Sequence, residues 1–167
     1  NVRCDGKIVW ESLVKRIVFC WSGFPQYAAR CVGAFAARHV ADCIVVATCP
    51  RVPVEGMERL CGCEVRWIEP DSPVDCRSLF GKTPDAVLTT GWGVSAFNRL
   101  RDEVRSSGGR AYAMVDNNFI PSFKEFLKAA RFRLFLKHKY DAFLVPGESG
   151  RKLLDFYGVE SARVFKG

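Results

Sequence analysis

Several signatures of common enzyme classes are missing from this sequence. No G-x-G-x-x-G follows its first apolar strand, which argues against a dinucleotide-binding dehydrogenase, and no G-x-x-x-x-G-K-[ST] is present, which argues against a P-loop ATPase. The absence of G-x-S-x-G makes a hydrolase with a nucleophile elbow an unsuitable reading. There are two histidines, His39 and His138, and the eight cysteines contain no C-x-x-C pair; Cys61-x-Cys63 is the closest spacing. A zinc site needs further ligands at suitable spacing, so no metal is expected. No Pro-rich, Gly/Ser-rich or Gln-rich tract and no internal repeat occurs. The longest apolar runs, such as residues 43–49, fall well short of the ~18 residues of a membrane span. The chain opens on Asn1 rather than Met, and no apolar signal core follows Asn1 to Gly6. With no signal, and with Cys20 and Cys43 inside apolar strands, the thiols read as reduced and structural and the setting as cytoplasmic.

What is present is ordinary for one globular domain. The 167 residues suit a single domain with a proper core. The apolar fraction of 49% and charged fraction of 26% are near the norm, so disorder is not expected. Short continuous apolar runs recur at residues 17–21, 43–47, 65–68, 86–90, 111–115 and 142–145, with a weak seventh at 163–165. Continuous rather than alternating runs are expected of strands buried on both faces. Between them lie helical stretches at 27–38, 55–60, 96–105, 124–139 and 148–157. Ser106-Ser107-Gly108-Gly109 and Gly158 act as stop signals. Pro121-Ser122 with Glu125 three residues on reads as a capping box. Strands and helices that alternate in this way predict an α/β fold, a Rossmann-like three-layer α/β/α sandwich with a mostly parallel sheet of six to seven strands. Residues 1–15 read as a tail, or as an extra strand around residues 7–10.

Ligands of open parallel sheets bind at the carboxyl ends of the strands. Four loops there are rich in small or polar residues: Ser22-Gly23-Phe24-Pro25-Gln26, Gly91-Trp92-Gly93, Asp116-Asn117-Asn118-Phe119 and Pro146-Gly147-Glu148-Ser149-Gly150. Their glycines permit close backbone approach, and loops that open into a helix can hold an anion. Such glycines are also ordinary turn punctuation, and Asp116 can simply shape a turn. A Trp between two glycines at a strand end is awkward core material, so Trp92 is expected in a cleft.

The stretch 124–139 holds most of the chain's net charge of +7: Lys124, Lys128, Arg131, Arg133, Lys137 and Lys139 stand against Glu125 alone. Phe123, Phe126, Leu127, Ala130 and Leu134 share one helical face and are expected to dock on the sheet. The opposite face gathers Lys124, Lys128, Arg131 and Lys139 with Phe132, Phe135 and Leu136. A basic and apolar outward face resembles an interfacial helix drawn to anionic lipid, with packing on a further domain or subunit as the competing reading. No nucleic-acid-binding motif is present, so no nucleic-acid partner is expected.

The end of the chain carries a more particular pattern. Tyr140-Asp141-Ala142-Phe143-Leu144-Val145-Pro146-Gly147 is followed by Ser149, Leu153-Leu154, Tyr157-Gly158-Val159 and Arg163-Val164-Phe165-Lys166-Gly167. This resembles the close of the N-terminal domain of GT-B glycosyltransferases, especially the retaining group that transfers hexoses from nucleotide sugars. The resemblance follows the whole chain in order of elements and rests mainly on residues 140–167. It implies that residues 16–167 are the N-terminal, acceptor-side domain, with the donor-binding C-terminal domain outside this sequence and the fragment weakly active or inactive alone. The partners it implies are a nucleotide sugar shared with that second domain and a saccharide or lipid-linked acceptor. It places Gly23, Phe24, Pro25 and Gln26 beside the donor phosphates. Gly91, Trp92, Asn118, Gly147, Glu148 and Ser149 are further substrate-binding candidates. A His often follows the fifth strand in such enzymes; Asp116-Asn117-Asn118 stands there instead, leaving Asp116 or Asn117 to accept hydrogen bonds from sugar hydroxyls. No metal or other cofactor is implied, and many such enzymes sit on membranes through a basic surface of this domain.

Two readings compete with it. One is a non-catalytic Rossmann-type binding module at a membrane surface. The other is a redox or metal protein, which requires Cys61 and Cys63 to approach another cysteine in space.

Overall fold

The computed structural model describes residues 16–39, 41–48, 55–117, 119–120 and 122–167. The strand considered around residues 7–10 and the site candidate Asn118 lie outside them. Among the described residues, seven strands form one sheet: β1 (Arg16–Ser22), β2 (Asp42–Thr48), β3 (Glu64–Ile68), β4 (Ala86–Thr90), β5 (Arg110–Met114), β6 (Ala142–Val145) and β7 (Val164–Lys166). Their order is β3-β2-β1-β4-β5-β6-β7, and every pairing is parallel. The chain thus runs outward from β1 to β3, returns to lay β4 beside β1, and runs outward the other way. The fold is a Rossmann-like three-layer α/β/α sandwich.

Six described α-helices connect the strands: α1 (Gln26–Arg38), α2 (Met57–Cys61), α3 (Cys76–Phe80), α4 (Ser95–Ser106), α5 (Phe123–Phe135) and α6 (Glu148–Phe156). Right-handed crossovers send the helices of the two outward runs to opposite faces. Two cores follow. On one face α1 and α2 cover Ile17, Phe19, Trp21, Val45 and Ala47. On the other, α3 to α6 cover Val18, Val46, Val87, Ala113, Phe143 and Val145. Strand residues alternate between these cores, so the strands read as unbroken apolar runs. Topology also leaves one area thinly covered. Beside α1, a cleft of about 220 Å³ is lined by Leu88, Tyr112, Met114 and Leu144, whose crossover helices lie on the opposite face.

Local chemistry sets the helix ends. Asp75 caps α3 in a reciprocal capping box with Ser78. This five-residue helix has no counterpart among the stretches expected from sequence. Gly158, at φ +74°, closes α6 in the left-handed region, as the sequence indicates. Gly150 permits α6 to sit against the end of β5, because a Cβ there would lie 2.8 Å from the Val115 carbonyl oxygen.

The orientation of α5 reverses the expectation. Phe123, Phe126, Leu127 and Leu134 are 55–76% exposed and face away from the sheet. Ala129 and Phe132, 2% and 1% exposed, turn inward instead. Phe132 inserts between Trp92, Phe143 and Tyr157, at centroid distances of 4.7, 5.8 and 5.1 Å. Two changes of geometry accompany this. The α-helix ends at Phe135 and passes into a 3₁₀ turn at Lys137–Lys139. Ser122 Oγ accepts from the Glu125 amide, but the Glu125 carboxylate turns to Tyr157 and Lys128 rather than completing a capping box.

Candidate functional site

The reversal of strand order between β1 and β4 opens a crevice at the carboxyl ends of the sheet, where ligands of such folds bind. Two adjoining cavities occupy it. The smaller, about 200 Å³, is bounded by Trp21, Ser22, Tyr27, Thr90, Gly91, Trp92, Met114, Val115, Asp116 and Asn117. The larger, about 680 Å³, runs from Gly91, Trp92 and Asn117 beneath the first turns of α5 to Glu125, Lys128 and Tyr157.

Backbone and hydroxyl contacts fix the crevice walls. The Ser22 amide donates to Thr90 Oγ1 at 3.2 Å, and the Gly23 amide to Thr48 Oγ1 at 3.2 Å. Gly91, at φ +73°, turns the chain sharply out of β4, and its amide donates to the Met114 carbonyl at 3.2 Å. Beneath this turn lies a buried polar network. Arg101 on α4 is 1% exposed. Its guanidinium donates to Tyr140 Oη at 2.9 Å, Asn98 Oδ1 at 2.6 Å and Asp102 Oδ1 at 2.8 Å. Thr89 Oγ1 donates to the Gly91 carbonyl at 2.9 Å, and Asn98 Nδ2 to the Trp92 carbonyl at 3.0 Å. Both carbonyls of the Gly91–Trp92 turn are therefore held from below. Burial raises the Asp102 pKa, but hydrogen bonds from Lys139 and Arg101 outweigh it and hold the carboxyl below its ordinary value. A buried charge is tolerated when paired and hydrogen-bonded in this way.

The open side of the crevice presents Asp116 and Asn117, both exposed at the end of β5. Tyr27 stands opposite. Burial, then the Asp116 carboxylate, push its phenol above the ordinary tyrosine value, so it remains a donor. Deeper beneath α5, Tyr157 Oη donates to Glu125 Oε1 in a short hydrogen bond, and Lys128 Nζ donates to Oε2 at 3.0 Å. The tyrosine, against an opposing burial effect and with help from Lys128, lowers the Glu125 pKa. Glu125 is therefore a carboxylate near neutral pH.

The residues expected at the site divide. Gly91, Trp92, Asp116 and Asn117 meet around the two cavities. Ser22 at the end of β1 and Tyr27 in α1 line the crevice, whereas Gly23, Pro25 and Gln26 are not among its lining residues and Gln26 opens α1. Phe24 is a correction: its side chain is 1% exposed and packs in the core with Trp21, so it offers no side-chain contact to a ligand. Gly147 precedes α6 and Glu148 is exposed at its start. Ser149 Oγ accepts from the Phe119 amide at 3.0 Å, tying α6 to the loop after β5. On α5, Lys124 and Lys128 line the larger cavity, and Arg131 and Phe135 are exposed. Phe132 is the second correction: it is core rather than surface. Lys139 is partly covered and pairs with Asp102 at 3.0 Å.

Sequence reasoning gave no role to Arg101, Asn98 or the Glu125–Tyr157 pair. Arg101 looks like any helix-surface arginine, and the i, i+3 spacing from Asn98 is its sole local signal. The proximity that the redox reading requires is met at one thiol. Cys63 does approach Cys43, but burial first and neighbouring thiols second push Cys63 up to about 12. It stays protonated at neutral pH and is therefore a poor nucleophile. Among the described residues, no three His, Cys, Asp or Glu side chains cluster to hold a metal. No described helix is long and apolar enough to cross a membrane. No protein-family model matches the chain, and no curated protein matches it.

Proposed function

We propose that this domain is the acceptor-binding half of a GT-B-type glycosyltransferase, moving a hexose from a nucleotide sugar to a saccharide or lipid-linked acceptor. The observation that carries the reading is the double cavity at the β1/β4 reversal. It combines an exposed carboxylate (Asp116), a carboxamide (Asn117), a phenol (Tyr27) and an indole (Trp92) around a rigidly held turn. Hydroxyl-rich rings ask for acceptors and donors set beside an apolar platform. In the reaction, the acceptor oxygen bonds to the sugar's anomeric carbon, the nucleoside diphosphate leaves with the broken bond's electron pair, and the hydroxyl proton is released. Asp116 and Asn117 would orient sugar hydroxyls, while the donor-binding domain would hold the nucleotide. The direct test is the reading frame beyond codon 167. A further Rossmann-patterned domain of similar size supports the reading, and a stop codon there removes it.

A second reading, a peripheral membrane module, draws on the outward stripe of α5. Phe123, Phe126, Leu127 and Leu134 are exposed beside Lys124, Lys128 and Arg131. An apolar stripe with a basic flank matches an interfacial helix on anionic lipid. It fits a membrane-associated enzyme as well as a non-catalytic module. Cosedimentation with phosphatidylglycerol vesicles, lost in Phe126→Glu/Leu127→Glu and absent with phosphatidylcholine alone, is the expected result. Equal binding to both lipids would remove this reading.

A further inference from the structure

The larger cavity contains chemistry that the general reading of a saccharide acceptor does not require. Its volume, about 680 Å³, falls within the range of about 300–1,000 Å³ usual for small-molecule sites. One wall is Trp92, whose ring is braced from behind by Phe132 at 4.7 Å and Tyr157 at 6.0 Å. The wall also holds the Glu125 carboxylate, fixed by Tyr157 on one oxygen and Lys128 on the other. Its side chain is 15% exposed, and as a carboxylate it can only accept. Lys124 and Lys128 line it as well, with the Lys128 ammonium 3.0 Å from Glu125 Oε2. Lys124 makes no ion pair with a described residue, and Lys128 is 65% exposed with one carboxylate partner. The two lie four residues apart on α5, and neighbours at that spacing stand one above the other on a helix. The cavity therefore sets an acceptor of hydroxyl protons and an aromatic platform beside two ammonium groups with spare donors. A neutral sugar would use the first two features and leave the third unmatched.

We infer that this cavity binds a phosphate-bearing monosaccharide as the acceptor, with the ring against Trp92, ring hydroxyls donating to Glu125 and the phosphate between Lys124 and Lys128. The inference rests on the acceptor-domain reading and deepens it. The shared chemistry is a hexose carrying a phosphate ester, whether free in solution or esterified to an alkyl chain. The exposed Ile120 at the rim, 70% accessible, gives an alkyl chain a surface to lie on.

The test is calorimetric titration of the purified chain, with the Trp92 indole N–H followed by NMR. The probes are glucose, galactose and mannose 1- and 6-phosphates, the methyl glycosides of the three sugars, inorganic phosphate, and dodecyl phosphodiesters of the same sugars. At least one sugar phosphate is expected to bind about tenfold or more tighter than both its methyl glycoside and inorganic phosphate, as charge-assisted contacts add to those of the ring. Lys124→Ala/Lys128→Ala should abolish that preference while methyl-glycoside binding persists; Lys166→Ala, at the end of β7, should change nothing. Tighter binding of a dodecyl diester assigns the phosphate to a lipid-linked acceptor, and equal or weaker binding assigns it to a soluble one. Equal affinity for phosphorylated and neutral sugars would overturn the inference while leaving the acceptor-domain reading intact. Inorganic phosphate binding as tightly as every sugar phosphate would overturn it as a bare anion site. Failure of every sugar to bind would overturn both.

Discussion

Helices α4 and α5 are nearly the same length, 12 and 13 residues, and both lie on the same face of the sheet, yet they meet it differently. In α4 the apolar positions Ala96, Phe97, Leu100 and Val104 all point inward. In α5 most large apolar side chains point out, and contact is made by Ala129 and Phe132. The difference lies in how many faces each sequence offers. Helix α4 has one apolar stripe with charged residues opposite, so burial has a single solution. Helix α5 has two stripes, and the wider one remains exposed. The narrower is favoured because Ala129 allows close approach and Phe132 fills a gap between Trp92, Phe143 and Tyr157. Shape complementarity with a partner far along the chain decided the orientation, and hydrophobic content did not.

The sharpest way to break this comparison is to truncate one residue from each stripe of α5. Phe132→Ala should cost about 3–5 kcal/mol, the usual loss for a buried phenylalanine. Phe126→Ala should stay within about 0.5 kcal/mol, as for a surface change. Denaturant unfolding measures both, and equal losses would show that the wider stripe is the one that docks. Next in size is Arg101→Met on α4. It removes the donor that positions Asn98, whose amide holds the Trp92 carbonyl, and leaves Tyr140 Oη and Asn98 Oδ1 short of a donor, at about 2–3 kcal/mol. Unfolding midpoints unchanged from the parent would contradict the network.

Tyr157→Phe is the smaller, pH-dependent member of the series. The hydrogen bond to Glu125 should be worth about 1.5–2 kcal/mol at neutral pH, the low end for bonds to charged groups. The folded-state pKa of Glu125 is depressed below its ordinary 4.5. Stability from such a group is fully present above that ordinary value and is lost as pH falls through the folded one. The parent should therefore lose more stability than Tyr157→Phe as pH falls from about 5 through the folded-state pKa. Parallel pH profiles would mean that the Glu125–Tyr157 contact carries no linkage.

The same contrast explains what could be read in the sequence. The strands were legible because each is buried on both faces, so residues such as 17–21 and 86–90 are unbroken apolar runs. The loops at their carboxyl ends were legible through glycines, and Gly91, Trp92, Asp116 and Asn117 do meet at one crevice. Phe24 was misplaced because a loop residue beside Gly23 gives no local sign that it folds back into the core. Helix α3 was missed because five residues are too few to show a period. Arg101 and the Glu125–Tyr157 pair depend on contacts 39 and 32 residues apart, which no local pattern reports.

The central claim is that the crevice at the β1/β4 reversal orients a sugar for transfer through Asp116. The most direct measurement is nucleoside diphosphate release from a panel of nucleotide hexoses by the natural full-length protein. Parent, Asp116→Asn and a control, Asp155→Asn on the exposed side of α6, are compared with hexose phosphates as acceptors. Release by the parent and the control, with a loss of about 100-fold or more in Asp116→Asn, is the predicted result for a group acting on the transition state. Release undiminished in Asp116→Asn, or none from any nucleotide sugar by the parent, would contradict the account.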